Sequence, residues 1–179
     1  MRFATVLTAA LLMAGCSAAV GPGSPVPAIS PTPSLSATAA PPTPTPGAVC
    51  HGLAHVYNPG RLHVLASCVS VRGVIISARQ EPDGDLHVLL KVDADQRDPR
   101  GGRFTNGVND AKQGGNLVLE PVCVGPVIQP DAVAACTGYH NPLVVPPPGT
   151  HVVVIGPWVL DAPHGWTELH PLEKVEVLT

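Results

Sequence analysis

From residue 68 onward, hydrophobic positions recur at every second residue in short runs broken by Gly, Pro and Asp. That spacing belongs to strands with one buried face. In CVSVRGVIISARQ (68–80) the alternation puts Val69, Val71 and Ile75 on one face, or Val74, Ile76 and Ala78 on the other. Gly73 interrupts it where a bend or bulge would let a long strand serve two sheets. EPDG (81–84) reads as a turn. DLHVLLKVD (85–93) follows with Leu86, Val88, Leu90 and Val92 aligned. NLVLEPV (116–122) makes a third strand and HVVVIGPWVLD (151–161), after the PPPGT turn, a fourth. LHPLEKVEVL (169–178) makes a fifth, with Leu172, Val175 and Val177 as its core contributors. Helical periodicity is nearly absent: VIQPDAVAACTG (127–138) allows one turn, with Asp131 as its cap. Residues 93–115 form a long, polar, Gly-rich loop. Five strands, a bent first strand and a connection between strands three and four predict a small OB-like barrel. A β-sandwich is the alternative.

The first residues follow another pattern. Arg2 precedes an apolar run, Val6 to Ala14, which is too short for a bilayer span of about 20 residues and matches the layout of a secretory signal. Its end, Met13-Ala14-Gly15-Cys16, resembles the bacterial lipoprotein signal. The resemblance implies cleavage before Cys16 and diacylation of its sulfur. Two acyl chains hold a protein stably on a membrane, where one is marginal. Residues 17–47 contain nine prolines and nine Ser or Thr, and no Asp, Glu, Lys or Arg occurs between Arg2 and Arg61. Prolines this dense remove backbone donors, so the expectation for 16–47 is a disordered, semi-extended tether. The division expected is 1–15 signal, 16–47 lipidated cysteine and linker, and 48–179 the barrel domain.

Charge and cysteine content narrow the picture. Without Arg2 the chain has nine Lys and Arg against thirteen Asp and Glu, a net charge of −4. With no basic stripe and only six aromatic residues, nucleic acid is a poor expectation as partner. With Cys16 spent on lipid, Cys50, Cys68, Cys123 and Cys136 form an even set suited to an oxidising compartment. Four cysteines allow three connectivities. The local one, Cys50–Cys68 and Cys123–Cys136, is favoured because each pair would pin an interrupted segment. A Cys/His zinc cluster is disfavoured, since no CxxC or tight CxH spacing occurs.

The stretches VYNPGRLHVLASC, VRGVIISARQEPDGDLHVLLKVD, NLVLEPVC and GPWVLDAPHGWTELHP together resemble a group of small OB-like, exported or lipid-anchored proteins of high-GC Gram-positive bacteria. The DGDLH and HGWTELHP pieces are the most specific parts. In that group Ile and Val usually stand where Leu169 and Leu172 occur here. The resemblance implies fold, disulfides and an extracytoplasmic location on the cell membrane, and no particular activity.

HGWTELHP (164–171) raises the question of chemistry. Alternation aims Trp166, Glu168 and His170 to one face, and Asp85 and His87 leave strand two on the face opposite its apolar row. If strands two and five are near one another, Asp85, His87, Trp166, Glu168 and His170 converge outside the barrel. Two readings follow. His87, Glu168 and His170 suit a divalent metal or acid–base catalysis. Alternatively the cluster is a structural polar plug, which is the favoured reading, with no cofactor. No GxSxG, HExxH or unpaired nucleophilic cysteine is present. The leading expectation is therefore a non-enzymatic domain binding an envelope glycan, peptide or protein. Arg97, Arg100, Arg103, Phe104 and Asn109 of the 93–115 loop are the candidate contacts. The alternative is a metal-dependent extracellular enzyme or metal-binding protein.

Overall fold

The computed structural model describes residues 50–179. The signal, Cys16 and the linker lie outside the described residues. Six strands account for most of the regular structure: β1 (Leu62–Gln80), β2 (Leu86–Val92), β3 (Leu117–Leu119), β4 (His151–Asp161), β5 (Thr167–Leu169) and β6 (Lys174–Val177). Two short helices, α1 (Gly107–Lys112) and α2 (Val133–Cys136), sit in the connections.

The strands close a ring in the order β1-β2-β3-β5-β4, and β4 returns to β1. All pairings are antiparallel except β3 with β5. This closure makes an OB-like barrel and excludes the sandwich. Only a long strand can bridge the seam, and β1 does so: Leu62–Val74 pairs with β4 and Gly73–Gln80 with β2. Gly73 sits at the overlap. A Cβ there would lie 2.4 Å from the Lys91 carbonyl oxygen, so the close approach of β2 requires glycine. The register shifts fall nearby, between Val64 and Val69 and between Ile75 and Ser77.

Inside the ring, Val71, Ile75, Val88, Leu90, Leu117, Leu119, Val154, Trp158, Leu169 and Leu172 form the core, as the alternation predicts. The Trp158 indole donates to the Phe104 carbonyl at 3.0 Å, which satisfies its one polar atom in an apolar setting. A second, smaller cluster lies outside the ring: Val56, Leu62, Val122, Cys123 and Val159. The disulfides Cys50–Cys68 and Cys123–Cys136 have the local pairing expected, and the second belongs to this outer cluster.

Several expectations need correction. The fifth ring strand is Thr167–Leu169. The segment after it bends at His170–Pro171 and returns as a separate β6 on the N-terminal half of β4. Leu172 is fully buried, whereas Val177 is 56% exposed and outside the core. Asp131 caps nothing: the first residue flanking α2 is Ala132, and Asp131 accepts from the Tyr57 hydroxyl. The 93–115 loop is folded. Asn106 and Asn109 cap α1 reciprocally, each side chain accepting from the other's backbone N–H.

Candidate functional site

Register determines which side chains meet on the outer face. Val88, Leu119 and Leu169 stand side by side across β2, β3 and β5 and point inward. One step along each chain, His87, Glu120 and His170 therefore point outward in the next row. Strands two and five are not neighbours, since β3 lies between them. The sequence reading missed Glu120, the residue β3 contributes. Its signal was present: the alternation that turns Leu117 and Leu119 inward turns Glu120 out.

Asp85, His87, Glu120, Glu168 and His170 are all buried. His87 Nδ1 meets Glu120 Oε1 at 2.8 Å, and its Nε2 lies 3.3 Å from the Gln113 side-chain oxygen. Glu168 is fully engaged: Oε1 pairs with His170 Nδ1 at 2.9 Å, and Oε2 accepts from the Trp166 indole at 2.7 Å. Asp85 Oδ1 accepts from the Cys123 backbone N–H at 2.8 Å. Its other oxygen faces His170 Nε2 across 3.9 Å. That nitrogen is buried and has no hydrogen-bond partner among the described residues.

Burial separates the protonation behaviour of these groups. Desolvation pushes the Asp85 carboxyl up to about 7, with the neighbouring Asp83 charge adding to it. Glu120 is held well above the ordinary range by burial, reinforced by Glu168 and Asp85. Burial opposes the charge of Glu168 too, but the hydrogen bonds and charge of His170 and the Trp166 donor outweigh it, so Glu168 is held low. Burial lowers His87, aided by Arg79. A protonated Glu120 beside a neutral His87 gives a consistent network: Glu120 donates to Nδ1, and Nε2–H is directed at Gln113.

A pocket of about 210 Å³ opens onto this face. Asp85, His87, Glu120 and His170 line it, whereas Glu168 lies behind His170 and does not reach it. At the rim Arg61 is paired with Asp161 and Arg79 with Glu81, so both arginines are neutralised locally. His164 stacks on Trp166 with ring centres 4.3 Å apart. Among the described residues, the one set of three His, Cys, Asp or Glu groups with ligand atoms within 4.8 Å of one another is Asp85, Cys123 and Cys136. Both sulfurs there are spent in a disulfide. His87, Glu168 and His170 therefore do not converge as a triad.

The loop residues divide. Phe104 and Asn109 are not available as contacts, which corrects the expectation: Phe104 packs edge-on against Trp158, and Asn109 is fully buried against Thr167. Arg97, Arg100 and Arg103 are exposed. Arg97 and Arg103 bond within their own loop, and the Arg100 guanidinium lies 4.9 Å above the Trp158 ring.

No family model, characterised protein or solved structure matches this chain. Fold and site together define its class: an OB-like, disulfide-stapled barrel carrying a buried acid–imidazole pocket on the β2–β3–β5 face.

Proposed function

We propose that the chain is a membrane-anchored, extracytoplasmic lipoprotein whose barrel displays a non-enzymatic binding site for an envelope ligand. Anchoring rests on the Met13-Ala14-Gly15-Cys16 sequence. Binding rests above all on one observation: the pocket keeps His170 Nε2 and Asp85 Oδ2 unbonded to one another while every other contact fixes their orientation. Leaving a buried polar atom unpaired costs roughly 1–3 kcal/mol, a cost that a ligand group would offset.

A glycan suits the pocket best among envelope ligands. Carboxylate and imidazole groups accept bonds from hydroxyls, and the exposed His164 ring on Trp166 offers a flat platform at the rim. The same face makes the contacts in OB barrels generally. Catalysis fits less well. Glu168, the ionised carboxylate, has both oxygens occupied and does not reach the pocket, so it is not placed to act on a bound substrate.

Two experiments test the two halves. Membrane fractionation of the full-length chain should retain the wild type and release Cys16→Ala. Co-sedimentation with purified cell-wall polysaccharide, in EDTA, should pellet the wild type and lose roughly tenfold in affinity for His164→Ala/Trp166→Ala. Equal pelleting of both would remove the glycan site.

A further inference from the structure

The gap between His170 and Asp85 has the form of a cation site, and its residues differ from the triad that the sequence suggested. Two donors are fixed from behind. His170 directs Nδ1 at Glu168 Oε1, 2.9 Å away, which leaves Nε2 pointing into the gap. Asp85 is fixed by the Cys123 amide on Oδ1, which leaves Oδ2 facing the same gap. A carboxylate on the rear nitrogen of a ligating imidazole is the usual support at metal centres, because it fixes tautomer and ring angle and raises basicity. Glu168 occupies that position.

We infer that His170 Nε2 and Asp85 Oδ2 bind one divalent cation of the zinc class, with Glu168 as the positioning residue and the other coordination positions open to the pocket. Imidazole with carboxylate favours zinc, cobalt or manganese over calcium, which takes oxygen ligands. With bonds near 2.1 Å, two ligands of one tetrahedral zinc stand roughly 3.4 Å apart. The observed 3.9 Å needs about half an ångström of closure. Electrostatics favour a cation as well. Arg61 and Arg79 are each paired with an acid, while Asp83 and Asp85 line the pocket with no Arg or Lys bonded to them among the described residues. The coordination left open would face the pocket, where a glycan hydroxyl or water completes the shell.

This inference rests on the pocket being a binding site. The test titrates the EDTA-stripped full-length chain with Zn²⁺ by calorimetry and with Co²⁺ by visible absorption. One equivalent should bind, and Asp85→Asn or His170→Asn should each weaken it about a hundredfold. Glu168→Gln should alter the Co²⁺ absorption band while retaining one equivalent. Because buried substitutions can unfold the domain, a wild-type measurement accompanies them. Co²⁺ should broaden the backbone amide resonances of residues 84–87 and 168–170 before any others. Absence of binding, equal binding by folded variants, or broadening centred on the exposed His51–Glu173 or His151–Asp93 pairs would overturn the metal site. Failure of the stripped chain to take up Zn²⁺ or Co²⁺, with polysaccharide pelleting in EDTA retained, would overturn the metal site alone and leave the pocket's binding role standing.

Discussion

Asn109 shows how much one polar side chain can organise. Its amide nitrogen donates to the Asn116 and Thr167 carbonyls, at 3.0 and 2.9 Å. Its oxygen accepts from the Asn106 and Thr167 amides, each at 3.0 Å, and from the Thr167 hydroxyl at 2.9 Å. One buried residue thus ties α1 to β5, three positions before His170. Asn109→Ala should cost about 3 kcal/mol, because it leaves several buried backbone groups unpaired. Asn109→Asp should be no better, since it aims a second oxygen at two carbonyls. Urea unfolding of both variants checks this, and a loss below about 1 kcal/mol in either would deny Asn109 its tying role. The sequence showed Asn109 only as a polar loop residue. Its burial depends on β5 arriving beside the loop, which no local pattern encodes. Glu120 is the opposite case. Its outward aim was legible in NLVLEPV, but its partner His87 lies 33 residues away and only the register joins them.

At the scale of elements, β1 carries the most topology and was the most legible. Its alternation and the position of Gly73 follow from CVSVRGVIISARQ, whereas its first six residues, from Leu62, lie before that stretch. The structure adds where the register shifts fall, between Val64 and Val69 against β4 and between Ile75 and Ser77 against β2. Gly73→Ala would bring a methyl group to 2.4 Å from the Lys91 oxygen and 2.9 Å from Leu90 Cγ. The oxygen is backbone and cannot rotate away, so the seam must open or the variant must lose about 2–3 kcal/mol. Gly60→Ala is the control, since a Cβ there meets nothing within 4 Å and its change should stay within about 0.5 kcal/mol. Chemical denaturation of the two variants should separate them clearly, and similar midpoints would contradict the close approach at the seam. The fifth strand was misplaced for a physical reason. LHPLEKVEVL does contain an alternating run, but the bend at His170–Pro171 divides it, so the apolar period continues in sequence while the chain changes place on β4.

For the whole molecule, the two disulfides serve different regions although their loops are nearly equal, with separations of 18 and 13 residues. Chain entropy assigns each about 3 kcal/mol, enough to lower the melting midpoint by about 10 °C in a domain of this size. Stability alone therefore does not distinguish them, but the pocket should. Cys123 sits in the outer cluster, and its backbone N–H orients Asp85. Cys50–Cys68 instead pins the segment entering β1, on the stretch where the β1–β4 register shifts. Replacing Cys123 and Cys136 by serine should raise amide hydrogen exchange at residues 122–124 and weaken whatever the pocket binds. Replacing Cys50 and Cys68 should leave both unchanged below the melting range. Equal effects of the two double variants on exchange at 122–124 would mean that the barrel, and not the local staple, fixes Asp85. The pocket would then be a property of the closed ring as a whole, with the second disulfide contributing stability and nothing to the site.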